Sequence, residues 1–365
     1  MNNIATNFLR YNILVLSLTM SVVACLLLLI LTVTEDYKSE NPVIKQAVDW
    51  QNRTKGIVSI SSKLATKFKH ESGPGFIIKN GINTIVFGSS TMMTIRSSAF
   101  PPPFRVYNFA TNSNPLHKTI GELQYHAESN ESIRWAIIAV DYGLGFPFEK
   151  HPIVPYNLEL SHKIVPLKDQ IKDAVTLDRL KITFQSLWTQ AVQDDHTYPC
   201  PLEEDQVGRD FGTVRSPGTC RGYRVDGSAT FGLKRMSKLS WKGRLNENGL
   251  SRFIKNLDNS QEGEINSIYL SELEKLDRLL KSRDGYLTLI LPPLMPGAEV
   301  WMLNSPVAPN LRAFKKNISS WASDNQVRII DSGQSERYNC EYSDFFDQHH
   351  ALEFCFEKIL NHHFK

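Results

Sequence analysis

The chain has 365 residues, 41% hydrophobic and 22% charged, an ordinary globular balance that excludes disordered and collagen-like classes. Lys and Arg number 41 against 38 Asp and Glu, a net charge of +3, and the basic residues are scattered, so no nucleic-acid partner is expected. Five cysteines are too few for a disulfide scaffold in a chain of this length.

From Tyr11 to Thr34 there is no charged side chain. Ile13 to Val33 is nearly all apolar, interrupted by Ser17, Thr19, Ser21 and Thr32. At about 1.5 Å per residue such a run crosses the roughly 30 Å hydrocarbon core. The expected arrangement is a cytoplasmic tail over residues 1–12 and a transmembrane anchor over 13–33. A cleaved signal peptide would have a shorter apolar stretch and a small-residue cleavage site. A lipoprotein signal is the other rival, carried by Val22-Val23-Ala24-Cys25, but the apolar run Leu26 to Leu31 follows directly. Arg10 precedes the apolar run and Glu35-Asp36 follow it, which places residues 34–365 outside the inner membrane, in a periplasm-like space. Apart from Cys25 the cysteines are Cys200, Cys220, Cys340 and Cys355, an even set that permits two disulfides in an oxidising compartment. Cys200 and Cys220 share one Gly/Pro-rich loop, and Cys340 with Cys355 would brace the carboxy-terminal motif; the alternative is free buried cysteines.

Residues 34–80 read as a stalk, with helical spacing in parts between Val43 and Lys69. An α/β domain over 81–365 follows. Thr84 to Phe87 is a β-branched apolar run, read as a strand, and Phe104 to Phe109 is a second. Asn114 to Asn130 is helical, with Leu116, Ile120 and Leu123 on one face. Trp135 to Val140 is a third strand, apolar throughout. After a long interval come a helix from Ser271 to Leu280, a strand from Tyr286 to Leu291, a helix from Ala313 to Ala322, a strand from Val327 to Ile330 and a helix from Ala351 to Leu360. Runs apolar on both faces suit a covered parallel sheet. The alternation predicts a doubly wound α/β fold of about five parallel strands flanked by helices. The interval, about residues 143–262, reads as an insertion carrying an amphipathic helix from Leu167 to Val192 and a second half rich in Gly, Pro and charge. Insertions at that sheet edge commonly form the wall or lid of a site.

Two motifs carry chemistry. The first strand ends in Gly88-Ser89-Ser90-Thr91, at the carboxyl edge where open parallel sheets place their sites. A serine there opens a helical turn, whose amino-terminal dipole favours a developing anion; the bland alternative is a polar turn and helix cap. Asp344-Phe345-Phe346-Asp347-Gln348-His349-His350 precedes the last helix. Three residues apart, Asp347 and His350 reach one side of a turn, so the carboxylate can orient an imidazole that takes a proton from serine. His349 is the rival base. The sequence holds no H-E-x-x-H, C-x-x-C, P-loop or G-x-G-x-x-G signature, and no cofactor or metal is expected. The six tryptophans could include a sugar-stacking platform, though buried tryptophan is usually core.

A serine after strand one and an Asp-x-x-His after the last strand resemble the SGNH, or GDSL-like, hydrolase superfamily. Val86-Phe87-Gly88-Ser89-Ser90 resembles its first block and Asp347-Gln348-His349-His350 its last. Val106-Tyr107-Asn108-Phe109-Ala110 resembles the second block, which normally carries an oxyanion-hole glycine, and Ala139-Val140-Asp141-Tyr142 stands where the third normally has asparagine. The similarity covers about residues 80–142 and 285–365, closest in flavour to membrane-anchored bacterial proteins of alginate O-acetylation and teichoic-acid D-alanylation. It implies Ser90 as nucleophile, His350 as general base and Asp347 as its orienting partner. It also implies an oxyanion hole from the backbone N–H groups of Ser90 and Ala110, since alanine retains the donor. With the third-block asparagine missing, Asn112 or Asn114 could replace its donor, and Asp141 reads as a structural carboxylate. The expected activity is ester hydrolysis or O-acyl transfer on an acylated cell-envelope glycan, the transferase taking its acyl group through a polytopic membrane acyltransferase. The other class of reading is a non-catalytic envelope scaffold or glycan-binding protein on a degenerate fold of this kind.

Overall fold

The structure, a computed structural model, describes residues 11, 14–22, 25, 42–112, 116–142, 197–200, 206–212, 214, 217–232, 245, 247–258 and 265–364. The chain divides into two compact units, Met1–Gln46 with Leu158–His196, and Ala47–Asn157 with Thr197–Lys365. In the first, residues 14–22 are helical. Among the described residues no helix is long and apolar enough to cross a membrane. Much of the expected anchor, 13–33, and all of the expected helix from Leu167 to Val192 lie outside them.

In chain order the elements are α1 (Pro42–Thr54), β1 (Ile57–Ile60), α2 (Ser62–Asn80), β2 (Thr84–Phe87), β3 (Val106–Asn108), α3 (Leu116–Ser129) and β4 (Trp135–Ala139). Then follow β5 (Thr197–Cys200), β6 (Gln206–Phe211), β7 (Arg221–Tyr223), β8 (Ala229–Phe231), α4 (Glu247–Asp258), α5 (Ser267–Lys281) and β9 (Tyr286–Leu291). The chain closes with α6 (Ala298–Leu303), α7 (Ala308–Asp324), β10 (Arg328–Asp331) and α8 (Glu353–Phe364).

The protein is α/β, as the alternation predicts. Five strands form one sheet in the order β3-β2-β4-β9-β10, and every neighbouring pair is parallel. β2, β3, β4 and β9 are buried almost end to end, which is why their sequences read as continuous apolar runs. The chain leaves β2 for β3, then returns across β2 to β4. That reversal makes a switch point between β2 and β4, where a crevice opens at the carboxyl ends. Gly88 sits in this narrow place: a Cβ there would lie 2.7 Å from Ala139 Cβ and 2.9 Å from Met92 Cγ.

The segment expected as a stalk is corrected by the structure. Within 34–80, α1, β1 and α2 are ordered elements, and all four residues of β1 are buried. β1 is the central strand of a second five-stranded sheet, β5-β6-β1-β7-β8. It pairs parallel with β6 and antiparallel with β7. The interval after β4 is therefore not a free-standing insertion: four of its strands complete a sheet that begins before the parallel one. A four-residue strand offers too short a pattern to be read from sequence. Cys200–Cys220 and Cys340–Cys355 are both disulfide-bonded, the first inside the mixed sheet and the second bracketing the Asp347–His350 loop.

Candidate active site

β2 delivers Ser89 and Ser90 to the crevice. Ser89 caps the short turn Ser90–Met92, its hydroxyl accepting from Thr91 N–H at 3.3 Å. Thr91 Oγ1 donates to Asp141 Oδ1 at 2.7 Å. Asp141 is buried, so its carboxylate has the structural role expected of it. Ser90 opens the turn, and a first-turn N–H has no partner within its own turn.

The other half of the site comes from the loop between β10 and α8. Asp347 Oδ1 accepts from the backbone N–H groups of His349 and His350, at 3.0 and 2.9 Å. Its Oδ2 lies 2.7 Å from His350 Nδ1, and His350 Nε2 lies 2.8 Å from Ser90 Oγ. A carboxylate on Nδ1 fixes the proton there and leaves Nε2 as acceptor for the serine proton. Burial alone would raise the Asp347 carboxyl, but the hydrogen bond from His350, the charges of His350 and His349 and a backbone N–H overrule it. They hold the carboxyl well below the usual carboxylate range. The structure thus brings Ser90, His350 and Asp347 into one hydrogen-bonded chain, and His349 stands beside it. His349 Nδ1 is 3.4 Å from Asp347 Oδ1, and its ring packs edge-on against Phe253 at 5.0 Å. Asp347, His349 and His350 place ligand atoms within 4.8 Å of one another, so this loop could hold a cation; Asp347 and His350 are already engaged with each other, and His350 also with Ser90.

Ser90 and His350 open onto a cleft of about 570 Å³. One wall belongs to the mixed sheet, with Ser59 and Ile60 on β1, Ser61 just after it, and Ala229 to Phe231 on β8. Phe231 stacks on Phe346 with centroids 4.3 Å apart, and it lies 6.3 Å from the His350 ring. No tryptophan is among the described residues lining the cleft. Its aromatic residues are Tyr223 and Phe231 from the mixed sheet and Phe346 from the Asp347–His350 loop; the sequence carried no sign that the first two face Ser90.

One expected donor is corrected. Ala110 N–H donates to Asn108 Oδ1 at 2.8 Å, and Ala110 is fully buried. Asn108 Nδ2 in turn donates to the carbonyls of Met92 and Ile95, both at 2.9 Å. From beneath, the buried Lys69 ammonium donates to the carbonyls of Asn108 and Ala110. The second-block loop is clamped by its own side chains, so the Ala110 N–H is spent inside the protein. Neither Asn108 nor Lys69 was singled out in the sequence; only a clamp that closes in three dimensions reveals them. Of the two asparagines expected to supply a replacement, Asn112 lines the cleft with Ser90 and His350, whereas Asn114 lies outside the described residues.

Compared with known proteins, the chain matches no family model, no curated protein and no solved structure.

Proposed function

We propose that the protein is a membrane-anchored, SGNH-like serine esterase or O-acyltransferase acting on acyl esters of a cell-envelope glycan. The observation that carries this reading is the unbroken chain from Asp347 through His350 to Ser90, at 2.7 and 2.8 Å, ending at an open cleft. Ser90 Oγ attacks the acyl carbonyl as His350 Nε2 takes its proton, forming the Oγ–C bond and an oxyanion. Collapse breaks the bond from the acyl carbon to its leaving group, which takes the proton from His350; in an esterase that leaving group is a glycan hydroxyl, in a transferase the carrier of the membrane partner. The Oγ–C bond then breaks as the acyl group passes to water in an esterase, or to a sugar hydroxyl in a transferase; His350 takes the acceptor's proton and gives it back to Ser90 Oγ. A transferase would take its acyl group from a polytopic membrane acyltransferase.

Anchoring is supported by the amino-terminal helix. Leu14, Leu16, Leu18 and Met20 are each between 66% and 68% exposed, an apolar surface suited to lipid. Two disulfides support an oxidising compartment outside the cytoplasm. The occupied Ala110 N–H favours the second reading, a non-catalytic glycan-binding protein on the same fold. A serine-reactive fluorophosphonate separates the two. The full-length chain in detergent is expected to label, and Ser90→Ala and His350→Ala to lose the label. A folded wild-type chain that stays unlabelled overturns the catalytic reading.

A further inference from the structure

The oxyanion needs a donor that the second block does not supply. We infer that Asn112 is that donor, a catalytic residue whose side-chain amide completes the oxyanion hole with the Ser90 N–H. The inference rests on the esterase or acyltransferase reading of the Ser90 site.

The register of the parallel sheet carries it. β2 and β3 pair Thr84 with Val106, Ile85 with Tyr107 and Val86 with Asn108. The pairing continues past the end of the strands, with Phe109 N–H on Val86 O at 2.7 Å and Thr111 N–H on Gly88 O at 3.1 Å. Asn112 is the next residue after the last of these links, as Ser90 follows two residues after Gly88, and both line the cleft. Burial changes at that step: residues 106–111 are buried and Asn112 is exposed. The β3 chain therefore emerges from the core where the nucleophile stands. Among the described residues lining the cleft, Asn112 is the side-chain amide.

The backbone donors of the second block and the third-block position are removed by contacts. Ala110 N–H is held by Asn108 Oδ1, and Thr111 N–H by Gly88 O. Asp141, in the position where a third-block asparagine would stand, is a buried carboxylate that accepts from Thr91 and would repel an oxyanion. When Ser90 Oγ adds to the ester carbonyl, the carbonyl π pair moves onto oxygen. The Asn112 Nδ2–H and the Ser90 N–H then meet that charge, and both release it when the carbonyl re-forms. Such a donor binds the transition state more strongly than the ground state, so it acts on kcat rather than on KM.

The test uses the full-length chain in detergent with p-nitrophenyl acetate, beside fluorophosphonate labelling. Asn112→Ala is expected to lower kcat by about 10²–10³, with KM changed less than about twofold. The rate of fluorophosphonate labelling should fall in parallel, since that adduct also places an oxygen in the hole. Asn112→Asp, which keeps the shape but replaces the amide donor with a negative carboxylate, should be slower than Asn112→Ala. Thermal unfolding of all three proteins establishes that they are folded. If wild type hydrolyses the ester and labels, but Asn112→Ala keeps kcat within about threefold, the donor role of Asn112 is overturned and the Ser90 reading stands. If wild type neither hydrolyses nor labels, it is the Ser90 reading that has failed.

Discussion

In the parallel sheet every neighbouring pair runs the same way, and β2, β3, β4 and β9 are buried almost end to end. In the mixed sheet, buried β1 and β8 share the layer with β5 and β6, where exposed and buried positions are interleaved. The first sheet and the loop that follows it hold every member of the hydrogen-bonded chain; the second sheet forms the facing wall. A frame covered on both sides holds reacting groups to a fraction of an ångström. The two meet along a seam at the β7–β8 turn. There Asn108 N–H donates to Asp226 O at 2.8 Å and Ala229 N–H to Met93 O at 2.6 Å. Arg224 lies 3.7 Å from Glu353 with both side chains buried.

The division is broken most severely at Gly222. A Cβ there would stand 2.2 Å from the Val58 carbonyl oxygen, which is backbone of the paired strand β1 and has no soft neighbour to move. Gly222→Val therefore requires β7 to part from β1, and the expected loss exceeds about 4 kcal/mol. Thermal unfolding followed by circular dichroism measures it. A variant that unfolds with wild type would mean that β7 does not lie against β1.

The contrast between the sheets also explains what could be read from sequence. Tyr286–Leu291 and Thr84–Phe87 were legible because strands covered on both faces need apolar or β-branched residues at nearly every position. The Asp347-x-x-His350 pair was legible because both partners lie in one local turn. β1 was not legible: its partners β6 and β7 lie far along the chain, and four residues are too few to show a period. The Ala110 donor failed for a related reason. Whether a backbone N–H faces a cleft depends on the side chain of Asn108 two residues earlier, and on what that amide finds among Met92, Met93 and Ile95. No spacing rule contains that information.

The disulfides sharpen the same comparison, one in each region. Cys200 and Cys220 are 20 residues apart, and Cys340 and Cys355 are 15 apart, so loop-closure entropy assigns each about 3 kcal/mol. Their effects on chemistry should nonetheless differ. Cys340–Cys355 bounds the segment that presents Asp347 and His350, so the double variant Cys340→Ser/Cys355→Ser should lose stability and slow the labelling of Ser90. Cys200→Ser/Cys220→Ser should lose similar stability and label at close to the wild-type rate under conditions where both proteins are folded. Equal slowing in the two variants would show that the mixed sheet supports the reacting groups directly.

The smallest expected effect lies on the seam itself, at Lys69. Its ammonium donates to the carbonyls of Asn108 and Ala110 in one region and sits 4.8 Å from the Tyr223 ring centroid in the other. Burial lowers its pKa from the ordinary 10.5 to about 7, against the opposing pull of Asp226 and Glu122. In the unfolded chain the same amine keeps its proton up to the ordinary value. Between about pH 7 and 10.5 the unfolded chain therefore binds the additional proton, and folding stability rises with pH. Below about pH 7 both states are protonated and the burial penalty is present in full. The slope from this one group is at most about 1.4 kcal/mol per pH unit. Lys69→Met removes the titrating group while keeping most of its volume, so the difference in stability between wild type and variant should shift towards wild type as pH rises from 7 to 9. Parallel stability curves over that range would overturn the claim that a desolvated lysine ties the Ser90 frame to its wall.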